Sequence, residues 1–259
     1  MDLGIAGRKA IVCASSRGLG RACAKTLAEA GCEVVINGRD REQLIAAAEE
    51  LRRATGAKIV PVAADVAAPD GQKALFAACP EPDILVNNNA GPPARDFRAL
   101  DRQQMLDGIT ANMIVAIELV QKAIEPMIAK KFGRIVNITS GSVKMPLAGL
   151  DLSSGARAGL TAFLAGVARS VAGSNVTINF LLPGVFETDR LRGYMGTLAK
   201  RNGISYEAAL AERLAAVPAR RVGNPDELGA ACAFLCSAHA GYITGQNLLM
   251  DGGAFPGAF

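Results

Sequence analysis

The sequence predicts an α/β fold: a doubly wound, seven-stranded parallel sheet with helices on both faces. Three observations predict it. Short apolar runs alternate with longer stretches carrying apolar residues at helical spacing, and parallel strands need long connections that helices fill best. Half of the 259 residues are apolar and only a fifth charged, enough to bury a sheet on both faces. The first apolar run leads into a Gly-rich turn and then a helical pattern.

The runs are KAIVCA (9–14), CEVVIN (32–37), AKIVPVAA (57–64), DILVNN (83–88), GRIVNITS (133–140), NVTINFLLP (175–183) and NLLMDGG (247–253), which gives seven strands. Between them, helices are predicted over 19–30, 41–54, 69–78, 102–130, 153–171 and 225–237. No repeat, low-complexity tract or Pro/Gly/Ser-rich linker divides the chain, so 1–259 reads as a single domain. Segment 186–217 falls outside the alternation. Its place at the carboxyl ends of the strands, where open sheets bind ligands, makes it a mobile substrate lid; the alternative is an extra packed helical hairpin.

Composition narrows the function. The net charge of +4 is dispersed, with no run of five or six basic residues and no Trp, so nucleic acid is not an expected partner. Six cysteines form no C-x-x-C pair and there is one histidine, which argues against a zinc site and for reduced core thiols. A histidine-dependent triad is not expected, since His239 falls in a predicted loop. No apolar stretch reaches the roughly 18–20 residues needed to cross a bilayer, and the start lacks the pattern of a signal peptide. No membrane partner is expected and the cytoplasm is the expected compartment.

The turn Cys13-Ala14-Ser15-Ser16-Arg17-Gly18-Leu19-Gly20 lets backbone amides approach a pyrophosphate at a helix N-terminus. Glycine merely making the turn is the plain alternative. Asp65-Val66 follow the third run, an Asn-rich stretch begins at Asn87, and Ser140 ends the fifth run. Pro183-Gly184 with Thr188 come next, then Ile243-Thr244-Gly245-Gln246 leading to Asp251-Gly252-Gly253. In this order the chain resembles the short-chain dehydrogenase/reductase family, 3-oxoacyl carrier-protein reductase-like, over nearly its whole length. The resemblance implies a Rossmann-type fold with a dinucleotide held by Ser15, Ser16, Arg17, Gly18, Leu19, Gly20, Asp65, Val66, Pro183, Gly184 and Thr188. Cys13 and Ala14 stand where the family has Thr and Gly. The family's N-N-A-G falls on Asn87-Asn88-Asn89-Ala90 without a gap, or on Asn88-Asn89-Ala90-Gly91 with one inserted residue.

After the second strand the sequence reads Ile36-Asn37-Gly38-Arg39, with no acid to bind the ribose hydroxyls of NAD. Arg39 and Arg17 suit the 2′-phosphate instead, so the expected cofactor is NADP(H).

Hydride transfer to a carbonyl needs a donor for the developing oxyanion and an acid to protonate it. The resemblance places the family's asparagine at Asn112 and its serine at Ser140. Where tyrosine and lysine are expected stand Ser153 and Arg157. An aliphatic hydroxyl is a far weaker acid than a phenol, and guanidinium cannot relay a proton, although Arg157 could still clamp the ribose. Positioned acid catalysis is worth about 10²–10⁴-fold, so its loss slows a reductase without abolishing hydride positioning. Tyr194, Tyr206, Lys144 and Asp151 are the conceivable substitute acids.

Three functions remain open: an NADP(H)-dependent carbonyl reductase or alcohol dehydrogenase with a non-standard site, a nucleotide-binding sensor or partner subunit with little catalysis, and a lyase or dehalogenase. Halohydrin dehalogenases also carry arginine for lysine, but keep the tyrosine and have lost the Gly-rich loop, the reverse of this chain. The resemblance further implies a homotetramer built through 102–130 and 153–171, acting on a small carbonyl or alcohol substrate.

Overall fold

A computed structural model, describing residues 1–258, contains one sheet of seven strands: β1 (Lys9–Val12), β2 (Glu33–Gly38), β3 (Ile59–Ala63), β4 (Ile84–Asn87), β5 (Gly133–Ile138), β6 (Val176–Pro183) and β7 (Asn247–Met250). All pairings are parallel, in the order β3-β2-β1-β4-β5-β6-β7. Alternation along the strands splits the core in two. Val12, Ile36, Val86 and Val136 face α1 (Gly18–Glu29), α2 (Arg41–Thr55) and α9 (Pro225–Cys236). Ile11, Val35, Leu85 and Ile135 face α3 (Pro69–Ala78), α5 (Val115–Ala129) and α6 (Asp151–Val171). Strands buried on both faces are why the runs read as continuous apolar text.

Local signals set the helix ends. Asp40 accepts a hydrogen bond from Gln43 N to start α2, and Gly56, at φ +68°, ends it. Asn224 and Glu227 form a reciprocal capping box around Pro225 at the start of α9.

One expectation needs correction. The predicted helix over 102–130 is two helices, α4 (Arg102–Ile109) and α5, joined by a π-helical turn, Thr110–Ile114. One residue of excess winding leaves apolar spacing almost unchanged, so periodicity does not reveal it. Segment 186–217 contains two helices, α7 (Asp189–Asn202) and α8 (Tyr206–Ala215), the helical hairpin given above as the alternative reading. Thr188 caps α7 and Ser205 caps α8, with Met195, Ala199, Ala209 and Val217 buried. The sheet order reverses between β3-β2-β1 and β4-β5-β6-β7, and the crevice between β1 and β4 is where an open sheet of this kind binds a ligand.

All six cysteines are buried and unpaired, as their reading as core thiols requires. Burial pushes the Cys13 thiol up to about 12, so it is no nucleophile at neutral pH. No helix among the described residues is long and apolar enough to cross a membrane, and no cluster of His, Cys, Asp and Glu could hold a metal.

Candidate active site

β1 ends at Val12 because the chain turns sharply at Ala14, which sits at φ +44°. That is the left-handed region, costly for any residue with a Cβ, and it explains why glycine suits this position. The turn is stapled from below. Ser15 is fully buried, donates its hydroxyl to Val12 O at 2.7 Å and accepts from Asn37 N at 3.0 Å. Its side chain therefore braces the turn instead of facing a ligand. Leu19 likewise packs on the core, and Val66 is buried. Of the residues assigned to the nucleotide, these three can offer only backbone.

Gly20 is required by contact. A methyl there would lie 2.4 Å from Ala14 O and 2.8 Å from Asn88 Nδ2. Asn88 itself donates to Ala14 O at 3.1 Å and ties the β4 turn to the β1 turn. A methyl on Gly18 would meet Thr188 Cγ2 at 3.6 Å, so the first turn of α7 covers this loop. The result is a shallow cradle of backbone at the N-terminus of α1, with the shape and dipole that suit a pyrophosphate.

At the far edge, a side chain on Gly38 would come 3.2 Å from Ser16 Cβ and Oγ. Two exposed guanidiniums flank it. Arg39 reaches only to 4.0 Å from Asp65, and Arg17 to 3.9 Å from Asp189. Both are free to turn toward an anion, since exposed pairs at such distances contribute little. The pocket therefore fits a phosphorylated adenine ribose. A wider open groove of about 460 Å³ on the outer side of α1 has its charges already matched, Arg21 with Glu50 and Lys25 with Asp226.

The residues expected to carry the chemistry lie where β4 and β5 run out. Ser140 accepts from Ser142 N at 3.1 Å, leaving its hydroxyl proton unassigned. A methyl on Gly141 would stand 3.5 Å from Pro183 O, which places this turn beside the end of β6 and Gly184. Ser153, in the first turn of α6, accepts from Arg157 Nε at 3.2 Å. Arg157 is buried. Its Nη1 donates to Ile138 O and Thr139 O, both at 3.0 Å, and its Nη2 to Asn89 O at 3.4 Å. The guanidinium thus clamps the ends of β4 and β5 to α6, and the forked ribose clamp expected of it is not the arrangement found. Burial, and secondarily the charge of Arg190, push Arg157 down to about 10, so it remains a cation at neutral pH.

Asn112 lies in the π-helical turn and donates to Gly108 O at 3.2 Å. Its Oδ1 and that of Asn87 are buried without partners. Both asparagines and Arg157 line a cavity of about 20 Å³, room for one water that would satisfy them. Asn89 turns away, donating to Ala111 O at 3.0 Å and accepting from Ala90 N at 2.8 Å.

None of the conceivable substitute acids hydrogen-bonds the side chain of Ser140 or Ser153 among the described residues. Tyr194 is half exposed on α7, Tyr206 opens α8, Asp151 is exposed at the start of α6, and Lys144 lies over the Phe255 ring at 5.7 Å. His239 bonds Asp2 O at 2.8 Å, in the turn Ala238–Ala240. Sequence reasoning missed two features. Asn37 and Asn137 join neighbouring strands through buried amides, Asn179 ties β6 to the loop before β7, and a lone Asn inside an apolar run was the available signal. Arg190 comes to Gly91 and Ser153 from α7, and nothing in its sequence context marks it.

Similarity to known proteins runs over nearly the whole chain. The family described as enoyl-(acyl carrier protein) reductase matches residues 13–254. The NADPH-dependent reductase BacG of Bacillus subtilis is 31% identical over 252 residues, covering 95% of this chain and 97% of that relative. The 3-oxoacyl-[acyl-carrier-protein] reductase FabG of Escherichia coli is 33% identical over 250 residues, covering 96% and 98%. The structure of L-sorbose reductase from Gluconobacter frateurii, complexed with NADPH and L-sorbose, superposes with a TM-score of 0.94 at 28% identity, covering 99% of this chain and 100% of that one.

Proposed function

The chain belongs to the short-chain dehydrogenase/reductase family, and from that premise we propose that it is an NADP(H)-dependent oxidoreductase acting on a small carbonyl or alcohol through a non-standard site. The observation that carries the cofactor choice is Gly38. It leaves no acid for a ribose hydroxyl, has Ser16 packed against the space a side chain would need, and is flanked by the exposed Arg17 and Arg39. Relatives whose names specify NADPH support the same choice.

When bound, the reduced nicotinamide supplies a hydride. The chain's own task is to hold the acceptor oxygen. Ser140 and Ser153 both have acceptor sites already engaged, so their hydroxyl protons are free to point at a developing alkoxide. Arg157 and the N-terminus of α6 add positive potential beneath it. Neither serine is an adequate acid and Arg157 does not relay a proton, so the proton is drawn from solvent. Slow turnover relative to a tyrosine-equipped relative is the consequence. Helices α7 and α8 form the substrate lid, with Thr188 resting on the Gly-rich turn. The exposed Met105, Leu106 and Ile114 in the α4–α5 region and Phe163 on α6 support a homotetramer built on those helices.

Mixing the protein with NADPH and a carbonyl panel should bleach the nicotinamide absorbance, and calorimetry should favour NADPH over NADH. A second reading, nucleotide binding with little or no catalysis, is favoured by the turning of Arg157 onto backbone carbonyls. It is the correct one if NADPH binds tightly while no carbonyl compound is reduced.

A further inference from the structure

Arg190 is the second residue of α7 and its guanidinium makes no ion pair or side-chain hydrogen bond among the described residues. Its neighbours are committed elsewhere. Arg192 is tied to Glu187 and Asp189, and Asp189 also lies 3.9 Å from Arg17. Arg190 instead reaches back across the cleft. A methyl built on Gly91 would lie 3.0 Å from its Nη1, 3.2 Å from its Nη2 and 3.4 Å from Ser153 Oγ. Both guanidinium nitrogens and the serine hydroxyl therefore crowd the same face of Gly91, which brings Arg190 beside Ser153 and leaves no room for a side chain at 91.

A second cation faces the same place. Arg157 touches Ser153 from beneath at 3.2 Å, is buried, and is neutralised by carbonyl dipoles alone. No carboxylate pairs with either arginine; Asp151, two residues before Ser153, makes no ion pair with them among the described residues. Two guanidiniums beside one hydroxyl, with no acid between them, make a site that is electrostatically incomplete without an anion. A planar guanidinium presenting both Nη atoms is matched by a carboxylate in a forked pair of hydrogen bonds.

We propose that this end of the cleft selects a carboxylate: Arg190 holds the carboxylate of a small 2- or 3-oxo acid while Ser140 and Ser153 hold its keto oxygen. The spacing sets the class. Arg190 and Ser153 meet on one face of Gly91, so an anion on Arg190 lies near the oxygen that Ser153 holds, which favours a short oxo acid. An acyl thioester carries no charge there. The step is a two-electron reduction in which hydride passes from NADPH to the keto carbon and a proton from solvent to its oxygen, giving the hydroxy acid and NADP⁺. The replacement of tyrosine by serine fits this, because the volume of a phenol ring is released beside Arg190 for the substrate's carboxylate. The proposal rests on the reductase reading, and its test is arranged to separate the two.

The experiment compares 2-oxo-4-phenylbutanoate with its ethyl ester in the wild-type protein, R190M and R190K, with NADPH as reductant. Wild type should prefer the acid by about 10-fold in kcat/KM, since Arg190 is exposed and a charge-assisted pair there stays partly solvated. R190M should collapse that preference to near unity through KM, and R190K should restore part of it. An unchanged preference in R190M overturns the proposal. So does an equal fall on acid and ester, which would assign Arg190 to the carbonyl oxygen instead. If no carbonyl compound is reduced by wild type, the reductase reading fails, and calorimetry of the oxo acid against the protein with NADP⁺ present then decides the pocket alone. Binding that R190M loses supports it, and no binding to wild type ends it. Arg190 is exposed and unpartnered, so its removal leaves the fold intact.

Discussion

The two ends of the cleft are built from different materials. At the nucleotide end the working surface is backbone: Ala14 at φ +44°, Gly18 at φ +59°, and Gly20 pressed against Ala14 O. Side chains there, Ser15 above all, point inward and brace it. At the chemical end the working surface is side chain: Ser140, Ser153, Arg157 and Arg190. Backbone geometry tolerates few sequences, so the first end keeps a recognisable pattern. Side-chain chemistry can be exchanged on an unchanged scaffold, and here α6 and the end of β5 carry Ser153 and Arg157 where the proposed reading expects a tyrosine and a lysine. Family membership therefore speaks strongly to what is bound and weakly to how it reacts.

The largest effect should come from breaking the backbone end. Gly20→Val forces a branched side chain where even a methyl would lie 2.4 Å from a carbonyl oxygen. NADPH affinity should fall by at least about 10²-fold in calorimetry, with circular dichroism showing the sheet retained. Tight NADPH binding by this variant would place the nucleotide somewhere other than this turn. At the other end, Ser153→Tyr with Arg157→Lys returns a phenol and an ammonium to the family positions. Turnover of a neutral ketone, which needs no carboxylate space beside Arg190, should rise by about 10²-fold or more, the worth of a positioned acid, with NADPH affinity nearly unchanged. If the double variant is no faster, the missing acid is not what limits the chemical end.

The same division decides what could be read from the sequence. Strand runs such as ILVN at β4 and VTINFLLP at β6 announced themselves because both faces are buried. The Gly-rich turn was legible because only certain residues can occupy it. The π-helical turn at Asn112 was hidden, since one extra residue per turn barely shifts the apolar stripe. Segment 186–217 concealed its two helices because Gly193, Gly196 and Gly203 and a largely exposed surface dilute the periodicity. Arg157 was located by spacing, but its partners, the carbonyls of Ile138, Thr139 and Asn89, come from elements 19, 18 and 68 residues away. Arg190 reaches Gly91 only because α7 folds back over the cleft.

Ala14→Gly tests whether the backbone end is at its optimum. Glycine accepts φ +44° without the Cβ penalty, a relief of about 1 kcal/mol, which corresponds to roughly 2–4 °C in Tm for a chain of this size. NADPH should bind a few-fold more tightly as well. A lower Tm would show that the turn gains more from the methyl than it loses to strain.

The smallest effect lies outside the cleft, in the support beneath its backbone end. Helix α9 packs against α1, which carries the Gly-rich turn, and is started by Glu227, which bonds Arg221 and Asn224 N. Those contacts, Arg221 first, hold the Glu227 carboxyl down at about 2, against an ordinary value of 4.5. A folded-state value below the unfolded one means the carboxylate stabilises the fold fully above about pH 4.5, and loses that contribution as the pH falls toward about 2. Glu227→Gln should lower Tm slightly at pH 7, because the pair is exposed, and the gap from wild type should close across that acid window. NADPH affinity should stay as it was, since Glu227 supports the helix behind the turn and not the turn itself. A parallel loss of affinity would mean that the backbone cradle is tuned from behind by α9, and the sharp division between brace and working surface would have to extend one helix further.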